Sequence, residues 1–186
     1  CLAWTEYLKQ WGKAAHVIVP DAFPDFLKWL PGTDDVLRFD KQTDEVKALC
    51  QRADLMFCLD FNDTSRLEEL QEVIALSKAK RVLIDHHLNP TIDGIVTVSH
   101  PEASSTCELV FRVICQLGGF EQLTQQIAAP IYCGMMTDTG GFTYNSTRPV
   151  IYTIIGMLLT TGIDKDKIYR NVFNNYSQWA IRLRGF

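Results

Sequence analysis

Short apolar runs alternating with amphipathic helical stretches predict an α/β fold, a parallel sheet carrying helices on both faces. Three observations lead there. The runs DLMFCLD (54–60) and VLIDHH (82–87) are continuously apolar before their ends, as strands buried on both faces are. Helix-period segments separate most of the strand candidates. Both runs end in carboxylate or imidazole residues, and parallel sheets bind ligands beyond the carboxyl ends of their strands.

CLAWTEYLKQWGK (1–13) reads as an amphipathic helix with Leu2, Trp4 or Thr5, Leu8 and Trp11 on one stripe and Gly12 as its C-cap. HVIVP (16–20) is a β-branched strand closed by proline. DAFPDFLKWLPG (21–32) is a turn and a short helix, and VLRF (36–39) a short strand. A helix over TDEVKALCQRA (43–53) precedes the strand that ends at Asp60. SRLEELQEVIALSKA (65–79) reads as one helix with Ser65 as candidate N-cap and acids in its first turn. GIVTV (94–98) is a further strand. In SSTCELVFRVICQL (104–117), Ser105 and Glu108 have capping-box spacing. A helix from about Glu121 runs into IYCGMMTDTGGF, FTYN (142–145) is a short extended piece, and VIYTIIGMLLTTG (150–162) is an apolar helix ended by Gly162. DKDKIYRNVFNN (164–175) is the last helix.

At 47% hydrophobic residues, 22% charged and a net charge of −4, the 186 residues can build a core, and the acidic balance argues against a large nucleic-acid groove held by charge alone. No run approaches the roughly 18 apolar residues of a membrane span, and no signal-peptide pattern opens the chain. Six cysteines without a CxxC pair, mostly inside apolar runs, read as reduced core thiols of a cytoplasmic protein.

The chemistry concentrates in three places. Asp85-His86-His87 ends one apolar strand, and such a cluster is costly unless paired or coordinated. Neighbouring strand residues face opposite ways, so Asp85 and His87 should diverge from His86 unless the strand ends there. Asp60 ends another strand, too far back to cap the helix that follows. Asp138 ends an apolar helix in Thr-Asp-Thr-Gly-Gly, where backbone can approach a ligand. Two carboxylates and an imidazole make a credible half-site for manganese, iron, zinc or cobalt. His16 and His100 read as ordinary surface or strand-start residues.

LMFCLDFND, VLIDHH, PEASSTCEL, GMMTDTGGFTYNST and VPDAFPDFLKWLPG resemble successive motifs of the DHH phosphoesterases, over nearly the whole chain. The group they look most like comprises nanoRNases that degrade short oligoribonucleotides and dephosphorylate 3′-phosphoadenosine-5′-phosphate. The resemblance implies a Rossmann-like catalytic domain and a two-manganese site. It implies that Asp60 bridges the metals, that His86 and Asp138 are ligands of one of them, and that His87 lies near the scissile phosphate with Asp85 behind it. Arg66 and the run Ser104, Ser105 and Thr106 match positions near the substrate. A cyclic-dinucleotide phosphodiesterase or a pyrophosphatase on the same site is the alternative chemistry, and an inactive interaction module the alternative class.

The family pattern also opens with His-x-x-Pro-Asp-x-Asp-Ala-x-Gly-Ser, which supplies three metal ligands, and closes with a Gly-Gly-Gly-His domain; neither motif occurs here, so the two-manganese site is expected to be incomplete in this chain. The expectation is therefore a catalytic domain over 1–175 lacking its first motif, then the start of a linker at 176–186. Such a chain is expected to be weak or inactive alone and prone to pair as a homodimer through the backbone left unpaired.

Overall fold

The structure, a computed structural model, describes residues 1–174. Its elements are α1 (Leu2–Gln10), β1 (Ile18–Val19), β2 (Leu37–Arg38), α2 (Thr43–Arg52), β3 (Leu55–Leu59), α3 (Leu70–Leu76), β4 (Lys80–Asp85), β5 (Val96–Ser99), α4 (Thr106–Gln116), α5 (Gln125–Asp138), α6 (Pro149–Leu159) and α7 (Lys165–Phe173), with short 310 turns between them. The expected linker at 176–186 lies outside the described residues.

The strands pair in parallel, in the order β3-β4-β5, with β1-β2 as a separate two-stranded pair. The fold is α/β as expected, although the strands form two sheets among the described residues. Strand alternation divides the core. Phe57, Leu59, Val82 and Ile84 face α1, α4 and α5. Met56, on the opposite face of β3, joins Ile18 and Leu37 of the two-stranded pair against Val46 and Cys50 of α2 and Leu70 and Ile74 of α3. One apolar layer thus spans both sheets. Fully buried side chains elsewhere in the core, such as Leu83 and Ile131, each stabilise the fold by about 1.5–3 kcal/mol.

Local chemistry explains most boundaries. Gly12 at φ 69° ends α1, with its N–H on the Lys9 carbonyl and the Lys13 N–H on that of Leu8. Ser105 caps α4 by accepting the Glu108 N–H at 3.1 Å.

Three local expectations are corrected. The buried stripe of α1 centres on Ala3, Trp4 and Tyr7, while Trp11 lies past the helix end and is 49% exposed. Segment 65–79 is not one helix. Asp63, which with Ser65 suits the capping role better than Asp60, caps a 310 turn over Thr64–Leu67, and Glu68 at φ 50° interrupts the chain before α3. Leu67 and Leu70, on either side of that break, both reach the core. The piece FTYN is a turn and not a strand. Gly140, Gly141 and Phe142 take positive φ in succession, and the Thr139 carbonyl accepts the N–H groups of Thr143 and Tyr144.

Candidate metal centre

β3 and β4 end side by side, with Leu59 opposite Ile84, so the residues after them emerge at one sheet edge. Asp60 follows at φ 71°, a conformation that costs a non-glycine residue about 1–2 kcal/mol. Its N–H still donates to the Ile84 carbonyl at 3.2 Å, so the chain turns while the ladder holds. The loop beyond is cross-braced to the one after β4. Asp63 accepts the Ser65 N–H and the Thr91 hydroxyl, both at 2.7 Å, and the Asn62 amide donates to the Leu88 carbonyl at 2.7 Å. The bonds from Ser65 and Thr91 push the Asp63 carboxyl down to about 2.

Because β4 ends at Asp85, His86 and His87 escape strand alternation, and their rings approach to 4.7 Å between centroids. Asp85 is wholly buried and accepts both the His87 ring Nδ1–H, at 2.7 Å, and the His87 backbone N–H, at 3.2 Å. His86 Nδ1 lies 3.3 Å from the Ala103 carbonyl. A carbonyl only accepts, so Nδ1 carries the proton and Nε2 offers its lone pair. That Nε2 is 3.7 Å from Asp60 Oδ1 and 3.9 Å from Asp138 Oδ2. Both separations exceed hydrogen-bond length. No hydrogen bond reaches either carboxylate from the described residues. Donor atoms of Asp60, His86 and His87 also lie within 4.8 Å of one another.

Asp138 is the last residue of α5, the end where the helix dipole disfavours an anion. Burial pushes its carboxyl up to about 6; Asp60 adds to the rise, and His86 and His87 oppose it. Its side chain nevertheless keeps 35% of its surface open, so solvent screens part of this effect. Close packing sets its position. A Cβ on Gly134 of α5 would meet Cys107 Sγ of α4 at 2.1 Å, so only glycine lets the two helices come this near.

Of the residues expected near the substrate, Ser104 and Ser105 are buried and already bonded, Ser104 Oγ to Glu108 Oε2 at 2.7 Å and Ser105 Oγ to the Glu108 N–H. Thr106 Oγ1 is buried without a partner. Arg66 is exposed in the 310 turn, and no hydrogen bond or ion pair joins it to the cluster among the described residues. Sequence reasoning missed Glu108 and Arg148. Glu108 stood out only as a capping residue. The structure buries it completely, with Arg112 bonded to Oε1 and Arg148 Nη1 3.8 Å away. Arg148 also donates to the Glu102 carbonyl, 46 residues distant in sequence, which no local signal announces.

Two carboxylates and an imidazole lone pair, converging without a donor among them, form a donor set suited to a divalent cation. Residues 1–135 match the N-terminal domain of the DHH family. The chain is 32% identical over 158 residues to a bifunctional oligoribonuclease and PAP phosphatase NrnA of Thermus thermophilus, covering 84% of this chain and 43% of that protein. It is 27% identical over 127 residues to the protein of the same name from Bacillus subtilis, covering 67% and 40%. The chain thus spans less than half the length of these relatives. The crystal structure of an exopolyphosphatase-related protein from Bacteroides fragilis superposes with a TM-score of 0.97 at 50% identity, over 99% of this chain and 54% of that one.

Proposed function

The chain belongs to the DHH family, and from that premise we propose that it forms the metal-binding part of a hydrolase of phosphoesters, acting on short oligoribonucleotides and 3′-phosphoadenosine-5′-phosphate. The observation that carries the proposal is the convergence of Asp60 and Asp138 on His86 Nε2, within 4 Å and with no donor to either carboxylate among the described residues. Asp60, His86 and Asp138 would hold manganese. Metal bound there would acidify a coordinated water and stabilise charge on the phosphoryl oxygens.

The chain's own groups supply the rest. Asp85 holds the proton on His87 Nδ1 and stabilises an imidazolium, so His87 Nε2 is free to face the phosphate and protonate a leaving oxygen. The brace from Asp63 to Thr91 keeps the loops that carry Asp60 and His86 in register. Ser104 and Ser105 position the site in this reading and do not touch substrate. The substrate class is supported by the names of the two NrnA relatives. No described helix is long and apolar enough to cross a membrane. A second reading, hydrolysis of a phosphoanhydride, is favoured by the exopolyphosphatase-related protein at 50% identity.

Phosphate release with manganese by the whole hydrolase that contains this chain separates them, using 3′-phosphoadenosine-5′-phosphate, a short RNA and inorganic polyphosphate as substrates. Turnover of the first two that is lost in His86→Ala is the expected result. Turnover of polyphosphate alone would favour the second reading, and turnover insensitive to His86→Ala would refute the site.

A further inference from the structure

We propose that Glu108 is a positioning residue that sets the tautomer of His86 through the single peptide group joining Ala103 to Ser104. The inference deepens the metal-site reading and rests on it. The two ends of that peptide group have different partners. Its carbonyl, from Ala103, faces His86 Nδ1 at 3.3 Å, and its N–H, from Ser104, donates to Glu108 Oε2 at 2.8 Å. No peptide bond in the described chain is cis, so the C=O and N–H point opposite ways and fixing one direction fixes the other. Glu108 is therefore aligned behind the carbonyl that faces His86.

The carboxylate is itself held. It is fully buried, bonded to Arg112, within 3.8 Å of Arg148, and takes the Ser104 hydroxyl at 2.7 Å as well as the amide. A buried anion accepting from an amide polarises it and makes its carbonyl a stronger acceptor. The stronger acceptor favours the proton on His86 Nδ1 and leaves Nε2 as the lone pair that faces Asp60 and Asp138. The opposite tautomer would point an N–H at both carboxylates and leave no nitrogen for a cation. Ligand histidines need such a partner on the other ring nitrogen, and losing one typically weakens metal binding about ten- to a hundredfold.

The test reads the tautomer directly, in metal-free protein, from two-bond 1H–15N spectra of the histidine rings at a pH where they are neutral. The full chain is expected to show His86 as one Nδ1–H tautomer. Glu108→Ala is expected to give mixed tautomers and manganese binding weaker by about ten- to a hundredfold. Glu108→Gln, which keeps a neutral acceptor, is expected to retain mostly one tautomer, with a loss in affinity under about tenfold. A folded Glu108→Ala protein with an unchanged His86 tautomer would overturn the inference. If Glu108→Ala does not fold, Glu108→Gln decides alone. The Ser104 amide proton and the His86 Nδ1 proton must then shift upfield together, and a His86 signal that stays in place would overturn the inference. A tautomer that responds to Glu108 in a chain that binds no manganese would support this inference while refuting the metal reading. Manganese binding with a tautomer indifferent to Glu108 would do the reverse.

Discussion

Glu108 and the pair Asp60 and Asp138 are carboxylates separated by little more than one peptide group and one imidazole, yet the fold treats them oppositely. Glu108 is sealed from solvent and surrounded by an amide, a hydroxyl and two guanidinium groups. Asp60 and Asp138 are partly open, lie near each other, and meet only the edge of His86 at 3.7 Å and 3.9 Å. The first arrangement satisfies its charge internally, as a buried ion must. The second leaves its charge to solvent and places Asp60 at a costly φ and Asp138 at the unfavourable end of a helix. Groups held where stability alone would not put them mark a site whose partner comes from outside. Replacing members of each set should therefore have opposite consequences.

The largest effect is expected at His86, where the comparison concerns activity. In the whole hydrolase that contains this chain, His86→Ala should lower manganese-dependent phosphate release at least about a thousandfold, or about 4 kcal/mol of transition-state stabilisation. Cys58→Ala, which alters a buried thiol in β3, should cost stability and spare turnover. Rate and melting measurements on both variants check this, and a His86→Ala enzyme that keeps most of its activity would break the comparison at its open end.

Next in size is Glu108→Leu, which strands Arg112 and the Ser104 amide. Breaking one side of a buried pair costs about 3–5 kcal/mol, and the partial exposure of Arg112 places this case near the lower value. Urea unfolding provides the test, and a loss under 1 kcal/mol would mean that the Glu108 network does not carry the stability assigned to it. Gly134→Ala follows, at about 1–3 kcal/mol, because the new methyl group must displace Cys107 between α4 and α5. The same displacement moves Asp138, so its metal affinity should fall with its melting temperature.

The smallest effect distinguishes the two sets most clearly, because it has the opposite sign. The Asp138 carboxyl sits at about 6 in the folded chain, above its ordinary 3.8. Between those values the folded protein keeps a proton that the unfolded chain has released. Metal-free stability should therefore fall as pH rises from about 4 to about 6. Asp63, pushed down to about 2, acts in the other direction, with stability lost as pH falls below its ordinary value toward 2. Asp138→Asn should remove the first dependence and slightly raise the melting temperature of metal-free protein at neutral pH, while weakening manganese binding. Melting curves across pH 3 to 8, compared with the parent chain, check this (the ordinary ionisation ranges set the span). An Asp138→Asn variant less stable than the parent at neutral pH would place that carboxylate with Glu108.

Residue order alone determined the alternation of strands and helices, the parallel pairing, and the three segments that end in Asp60, His86 and Asp138. These follow from local rules. Apolar runs mark buried strands, Gly12 and Ser105 mark helix ends, and polar residues after an apolar strand mark a ligand edge. Local patterning led to the expectation that these three ends share one half-site, as they do, but not to the conformations in which they meet. That His86 and His87 turn together, that Glu68 divides a helix, and that FTYN curls at Gly140 and Gly141 depend on where a strand stops and which neighbours must be buried. The role of Glu108 was hidden for the same reason. Its bond to the Ser104 N–H is local, but its approach to Arg148 and the His86 ring on the far side of that peptide group arise from packing of α4 against distant segments, and tertiary structure alone decides which buried charges find partners and which remain open.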